Sequence, residues 1–183
     1  MLPTFRVSQS GGCRSMTESA VVLVGPMGAG KSTVGALVAR RLGRDFIDVD
    51  ARIVEQQGRE ISEIFATDGE QEFRRLELEA TGQALADCGV VALGGGAVVT
   101  PQVREALGGH HVFWLTTSVG EATARMGRDS GRPLLAGNVA ANWTRIATLR
   151  EPLYAEVADH RISTSGQHPD QVARTICQLL EDM

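Results

Sequence analysis

The single lysine of this chain, Lys31, stands inside Gly25-Pro26-Met27-Gly28-Ala29-Gly30-Lys31-Ser32. Every other basic side chain is arginine. The octet fits the phosphate-binding loop pattern G-x-x-x-x-G-K-[ST] at each fixed position. Glycines let backbone N–H groups curl around a phosphate, and a following helix turns its positive end toward the same anion. The ammonium is a compact charge able to reach β- and γ-phosphates, and the Ser32 hydroxyl is a hard oxygen ligand for Mg²⁺. The flanks agree. Ala20 to Val24 is an apolar run of strand length, and Lys31 to Leu42 places Val34, Leu37, Val38 and Leu42 at helical spacing before the stop signal Gly43. Strand, glycine loop and helix in that order point to a nucleoside triphosphate as ligand.

The rest of the composition narrows the class. A chain of 183 residues is the size of one domain with a sufficient core of its own. Net charge is −4 and the arginines are scattered, so nucleic acid is a poor partner. No apolar stretch approaches the roughly 20 residues of a membrane span. Residues 1–18 lack the apolar region of a secretory signal and read as a disordered tail ahead of a domain at 19–183. Met16, four residues before the first strand, is an alternative start. Cys13, Cys88 and Cys177 are odd in number and form no C-x-x-C pair, so they read as reduced thiols of a cytoplasmic protein, which is expected to be a monomer. His110 and His111 lead into an apolar strand, which favours a structural role over metal ligation.

Strands and helices alternate from there. Phe46 to Asp50 reads as a short strand ending in acids, followed by a helix over 51–57 that Gly58 stops. A small helix carries Ile61, Ile64 and Phe65, and Thr67-Asp68-Gly69-Glu70 has the form of a capping box opening a long helix to about Asp87. Val90 to Leu93 is a buried strand broken by Gly94-Gly95-Gly96, and Thr100-Pro101 sets the next helix start. His111 to Leu115 is a fourth strand, with a helix to Met126. Residues 127–138 contain several glycines, Pro133 and Arg132, without periodicity, and a loop of that length in a small domain reads as a lid. A helix spans 139–157, His160 to Ser163 is the last strand, and Pro169 starts the final helix. The alternation predicts an α/β fold, a P-loop three-layer sandwich with a central five-stranded parallel sheet and ligands at the carboxyl ends of its strands.

The P-loop together with Asp48-Val49-Asp50, Phe73-Arg74-Arg75-Leu76-Glu77, Leu93-Gly94-Gly95-Gly96, Arg132-Pro133-Leu134-Leu135 and Arg150-Glu151-Pro152-Leu153-Tyr154 resembles shikimate kinase. The resemblance runs from about residue 20 to 180. A P-loop alone is shared by many unrelated ATPases and GTPases; five further motifs in order are far more specific. The resemblance implies ATP-dependent phosphorylation of the 3-hydroxyl of shikimate, giving 3-phosphoshikimate and ADP for aromatic amino-acid synthesis, with Mg²⁺ as cofactor.

It also implies roles for individual residues. Gly28, Ala29, Gly30, Lys31, Ser32 and Thr33 would bind ATP, with Ser32 on Mg²⁺ and Asp48 on the metal through water. Asp50 would bind the shikimate hydroxyls and orient the attacked one. Asp48 and Asp50, alternating about Val49, read as facing one side of a strand end. Arg74 and Arg150 would grip the substrate carboxylate, with Glu77 holding the Arg74 guanidinium; planar bidentate pairing suits arginine to this task. Phe73 would pack on the ring, and the backbone N–H groups of Gly94, Gly95 and Gly96, Gly95 foremost, would donate to the substrate. Arg132 would close over the phosphates as the lid arginine, and Arg125 and Gln167 would face the adenine. The acceptor segment is then about 48–77 and the lid about 127–138. Two other readings share parts of this pattern: a gluconate or nucleoside-monophosphate kinase, and a non-catalytic ATP-binding module. Neither explains Arg74, Gly94 to Gly96 and Arg150 together with a complete catalytic set.

Overall fold

A computed structural model of the protein describes residues 19–126 and 138–182. The expected tail at 1–18 and the lid, except Asn138, lie outside the described residues, and so does Arg132.

β1 (Val21–Val24) is buried along its whole length, with Val22 and Val24 in the core on one face of the sheet and Val21 and Leu23 in the core on the other. A strand covered on both faces has no solvated side, which is why its sequence is continuously apolar. Fully burying each such side chain is worth about 1.5–3 kcal/mol relative to exposure. With β2 (Phe46–Asp48), β3 (Val90–Ala92), β4 (His111–Thr116) and β5 (His160–Ser163), the described residues form a five-stranded parallel sheet in the order β2-β3-β1-β4-β5. Val22 of the central strand faces Val91 on one side and Val112 on the other. The chain leaves β1 for one edge, returns through β3, then passes to β4 on the far side. That reversal places a crevice at the carboxyl end of β1, where open α/β sheets bind ligands.

α1 (Lys31–Leu42) and α8 (Pro169–Glu181) cover one face, contributing Val34, Val38, Val172 and Ile176 to its core. α2 (Val49–Gln57), α3 (Ile61–Thr67), α4 (Gly69–Ala86), α5 (Pro101–Ala106) and α7 (Val139–Val157) cover the other, where Ile53, Ile64, Phe73, Leu76, Val103 and Tyr154 pack together. α6 (Val119–Met126) places Ala122 in a small cluster with Met27 and Trp143. The three-layer sandwich and parallel sheet expected from the sequence are present.

Three local expectations are corrected. The strand of Phe46 ends at Asp48, which caps α2 by accepting from the Ala51 N–H at 3.2 Å, so Asp50 stands in the first helical turn rather than on a strand with Asp48. The capping box at Thr67 to Glu70 does not form: Asp68 pairs with Arg59 at 2.5 Å, and the Thr67 hydroxyl donates to the Glu63 carbonyl. A short 3₁₀ turn, Ala97–Val99, follows the glycine run where the sequence reading had no element. Cys177 is a free thiol, and Cys13 lies outside the described residues. His110 is structural, its Nδ1 accepting from the Ala20 N–H at 3.0 Å.

Candidate active site

The P-loop leaves the carboxyl end of β1 through Gly25, whose φ of 139° only glycine adopts readily; a Cβ there would collide with the Leu115 carbonyl. Gly30, also left-handed, begins α1 without a side-chain cap, and the first turn of α1 carries no acid. The positive end of that helix is therefore not neutralised from within its own first turn. The Lys31 ammonium lies across the loop, donating to the Gly25 and Pro26 carbonyls at 2.8 and 3.0 Å. One turn of backbone thus holds the charge over the concave side of the loop. The Ser32 hydroxyl donates to Asp48 Oδ2 at 2.5 Å. β1 and β2 are not neighbours in the sheet, yet their ends bring these two oxygens together. Two hard oxygen donors side by side suit Mg²⁺. Among the described residues no group of three or more His, Cys, Asp or Glu side chains could hold a metal.

Beside the loop lies a cleft of about 600 Å³ whose lining includes Met27, Asp50, Phe73, Arg74, Glu77, the glycines Gly94 to Gly96, and Arg150. Beyond Met27 of the P-loop, four segments supply these residues, and α3 adds Ile61, Ser62 and Phe65 to the lining. α2 supplies Asp50, α4 supplies Phe73, Arg74 and Glu77, the run after β3 supplies the glycines, and α7 supplies Arg150. On α4, Arg74 Nη1 donates to Glu77 Oε2 at 2.6 Å and Nη2 donates to Glu70 Oε1 at 3.2 Å. The Arg74 Nε is buried and has no acceptor among the described residues. Glu77 is 1% exposed, and its carboxyl is pushed up to about 7. Burial is the largest cause; the Arg74 cation opposes it, Asp50 reinforces it and Arg150 opposes it.

The glycine run has a reason beyond ligand approach. A Cβ on Gly94 would lie 2.6 Å from Asp50 Oδ1 and 2.9 Å from Glu77 Oε1, and one on Gly96 would lie 2.7 Å from Arg74 Nη2. The missing side chains make room for the charged groups of the cleft. Gly95 packs against Met27 of the P-loop, so the phosphate loop and the cleft share a wall. Arg150 Nη1 donates to the Gly95 carbonyl at 3.2 Å, and the buried Tyr154 hydroxyl donates to the same oxygen at 2.5 Å.

A family model for shikimate kinase matches residues 27–181. The shikimate kinase of Streptomyces avermitilis is 48% identical over 91% of this chain and 98% of its own. The chain belongs to the shikimate kinase family. A solved shikimate kinase from Acinetobacter baumannii in complex with shikimate superposes with a TM-score of 0.85 at 38% identity, covering 91% of this chain and 94% of that one. A gluconokinase from Sinorhizobium meliloti shares the fold alone, with a TM-score of 0.57 and 19% identity over 91% of this chain and 95% of that one. Membership in the family makes the chain an ATP-using kinase.

The structure gathers Asp50, Phe73, Arg74, Gly94 to Gly96 and Arg150 around one cleft, while Ser32 and Asp48 meet each other outside its lining. Ala29 is buried under the loop and Thr33 is exposed on α1. Phe73 is 4% exposed and mostly core, with its ring 4.6 Å from that of Phe65. Arg125 braces the loop from α6, donating to the Gly28 carbonyl at 2.9 Å, while the Gln167 amide turns back to the Ser163 carbonyl at 2.9 Å. The sequence reading passed over Phe65, Met27 and Tyr154. Tyr154 had a signal, since it stands one helical turn after Arg150 and ends the same motif. Phe65 had none beyond its apolar character.

Proposed function

We propose that this chain transfers the γ-phosphoryl group of ATP to the 3-hydroxyl of shikimate, giving 3-phosphoshikimate and ADP. The observation that carries the reading is the cleft against the P-loop, where Arg74 and Arg150 stand with Asp50. Two guanidiniums fit one carboxylate, and a carboxylate suits a ring hydroxyl. The Arg74 guanidinium, backed by Glu77, keeps a buried Nε donor for an incoming anion.

In this reading Lys31 and the N–H groups of Gly28 to Thr33 hold the β- and γ-phosphates. Arg74 and Arg150 fix the acceptor by its carboxylate, which points its hydroxyl toward the P-loop wall. Asp50 accepts the proton of that hydroxyl as its oxygen bonds to the γ-phosphorus and the bond to the β-phosphate oxygen breaks. Transfer of this kind needs positioning and charge stabilisation more than covalent help. Mg²⁺ held by Ser32, with Asp48 on one of its waters, would supply charge neutralisation across the phosphates. Arg132, from a lid over about 127–138, adds a cation on the transferring group. Arg125 and Gln167 flank the adenine. The same reading treats 19–183 as one kinase domain, acting as a monomer in the cytoplasm in aromatic amino-acid synthesis. Among the described residues no helix is long and apolar enough to cross a membrane.

A coupled ADP-release assay with shikimate, quinate, gluconate and AMP side by side tests the assignment. Shikimate should give the highest kcat/KM, and a higher value with gluconate or AMP overturns it.

A further inference from the structure

Tyr154 lies on the face of α7 that meets the glycine run. It is 1% exposed, its ring is 5.8 Å from that of Trp114, and its hydroxyl donates to the Gly95 carbonyl at 2.5 Å. Burial, its largest cause, pushes the phenol up to about 12, so the group remains a proton donor across the working range. The neighbouring carbonyls of the run are occupied differently. Gly94 O accepts from the Ala97 N–H and Gly96 O from the Val99 N–H, both inside the 3₁₀ turn. Gly95 O is the carbonyl that α7 takes, through Tyr154 and Arg150.

A peptide group is planar and trans, so fixing one carbonyl fixes the opposite direction of the N–H that follows it. Holding Gly95 O against α7 therefore turns the Gly96 N–H away from α7. Glycine backbone has no side chain to set this plane, and three in a row leave it softer than any other segment of the cleft wall. The same bond bears on Arg150. At 3.2 Å its Nη1 contact with Gly95 O is the longer of the two, and the phenol relieves the guanidinium of satisfying that carbonyl alone.

We propose that Tyr154 is a positioning residue for the acceptor: its hydroxyl fixes the Gly95–Gly96 peptide plane and frees Arg150 to face the substrate anion. The proposal rests on the reading of this cleft as the acceptor site. Trp143 supplies a built-in contrast on the same helix. Its Nε1 donates to the Met27 carbonyl of the P-loop at 2.9 Å, a bond of the same kind that serves the phosphate side.

The test compares Tyr154→Phe and Trp143→Phe with the parent by steady-state kinetics in both substrates. Tyr154→Phe keeps the ring on Trp114 and removes only the donor. Its KM for shikimate should rise about tenfold, the change that loss of one buried hydrogen bond brings, while its KM for ATP stays within about twofold. Trp143→Phe should show the opposite split. If Tyr154→Phe moves both constants together or leaves the shikimate KM within about twofold of the parent, Tyr154 is only a packing residue and the proposal falls. Turnover of shikimate by the parent reads the functional assignment separately, because the Tyr154 result is a ratio to that parent. Tyr154 is the single tyrosine of the chain, so biosynthetic 3-fluorotyrosine places one ¹⁹F reporter beside Gly95 without a substitution. Its resonance should shift on adding shikimate alone, and an unmoved resonance at saturating shikimate also overturns the proposal.

Discussion

Replacing Glu77 by glutamine should flatten the pH dependence of stability. Glu77 is a carboxyl of ordinary value 4.5 held at about 7 in the folded chain, chiefly by burial. Between those values the folded state keeps a proton that the unfolded state has lost. Stability rises with pH only where the unfolded state binds more protons, so here it falls. The contribution is fully present below about 4.5 and is lost as pH rises through about 7. At ~1.4 kcal/mol per tenfold in a proton-binding constant, the displacement amounts to about 3 kcal/mol. Glu77→Gln keeps the shape of the side chain and removes the titration. Urea unfolding followed by far-UV circular dichroism at pH 5, 6, 7 and 8 gives the free energy of each protein. The parent should lose about 3 kcal/mol more than the variant across that range. The offset between the two curves is not the readout, because the amide also changes the hydrogen bond to Arg74 Nη1, a change that acts at every pH. Only the difference in slope belongs to Glu77. Parallel curves would show that the Arg74 ion pair holds the carboxyl near its ordinary value, and the argument from burial would be wrong.

Three further outcomes are expected. Lys31→Met should fold with a nearly unchanged thermal melt, since the side chain lies across a loop and its loss removes little packing, yet keep less than about a tenth of the activity in the ADP-release assay. Gly96→Ala should raise the shikimate KM at least about tenfold, because its Cβ meets the Arg74 guanidinium at 2.7 Å and Glu77 blocks retreat; an unaltered KM would mean that the guanidinium moves freely. Arg74→Ala and Arg150→Ala should each weaken shikimate binding by about 30-fold or more, as truncating one member of a buried charge pair costs roughly 2–5 kcal/mol. Titration calorimetry should find ATP affinity little changed in both, and equal loss for shikimate and its neutral amide would show that these arginines shape the fold instead of reading the carboxylate.

What could be read in the sequence was what local rules determine. The P-loop is legible because its glycines, Lys31 and Ser32 act through backbone that is contiguous in the chain. The helix bounds Lys31–Leu42 and Val139–Val157 follow from periodicity and stop signals, and the structure has both. The errors have two physical causes, a partner beyond the local window and a local pattern that serves two structures equally well. Thr67 to Glu70 has the composition of a cap, but Arg59 reaches Asp68 and removes the acceptor. Asp48 and Asp50 alternate as strand residues do, but an aspartate at a strand end and one capping a helix look alike in sequence. The glycine run was read as space for a ligand; the structure adds that Gly94 and Gly96 make room for Asp50, Glu77 and Arg74, which come from two different helices.

The cleft carries a conflict between stability and placement that bears on why these residues stand together. A carboxyl that is 1% exposed disfavours its own charge, and well-packed apolar side chains in place of both Glu77 and Arg74 would cost the chain nothing, whereas removing Glu77 alone would strand the guanidinium. Glu77 is kept beside Arg74, however, and on the same face of α4 its Oε2 sits 2.6 Å from Nη1. A long arginine side chain has several rotamers, and one buried acceptor selects among them before any ligand arrives. Tyr154 does the corresponding thing for backbone, since glycine 95 has no side chain with which to set its own peptide plane. The gluconokinase that shares this fold at 19% identity shows that sheet order and P-loop kinase architecture alone do not choose the acceptor. The choice must lie in groups such as these, held against their individual preferences by the helices around them. Replacing Arg74 and Glu77 together by well-packed apolar side chains should therefore leave stability unchanged or raised while losing shikimate, the opposite of what a purely structural role predicts.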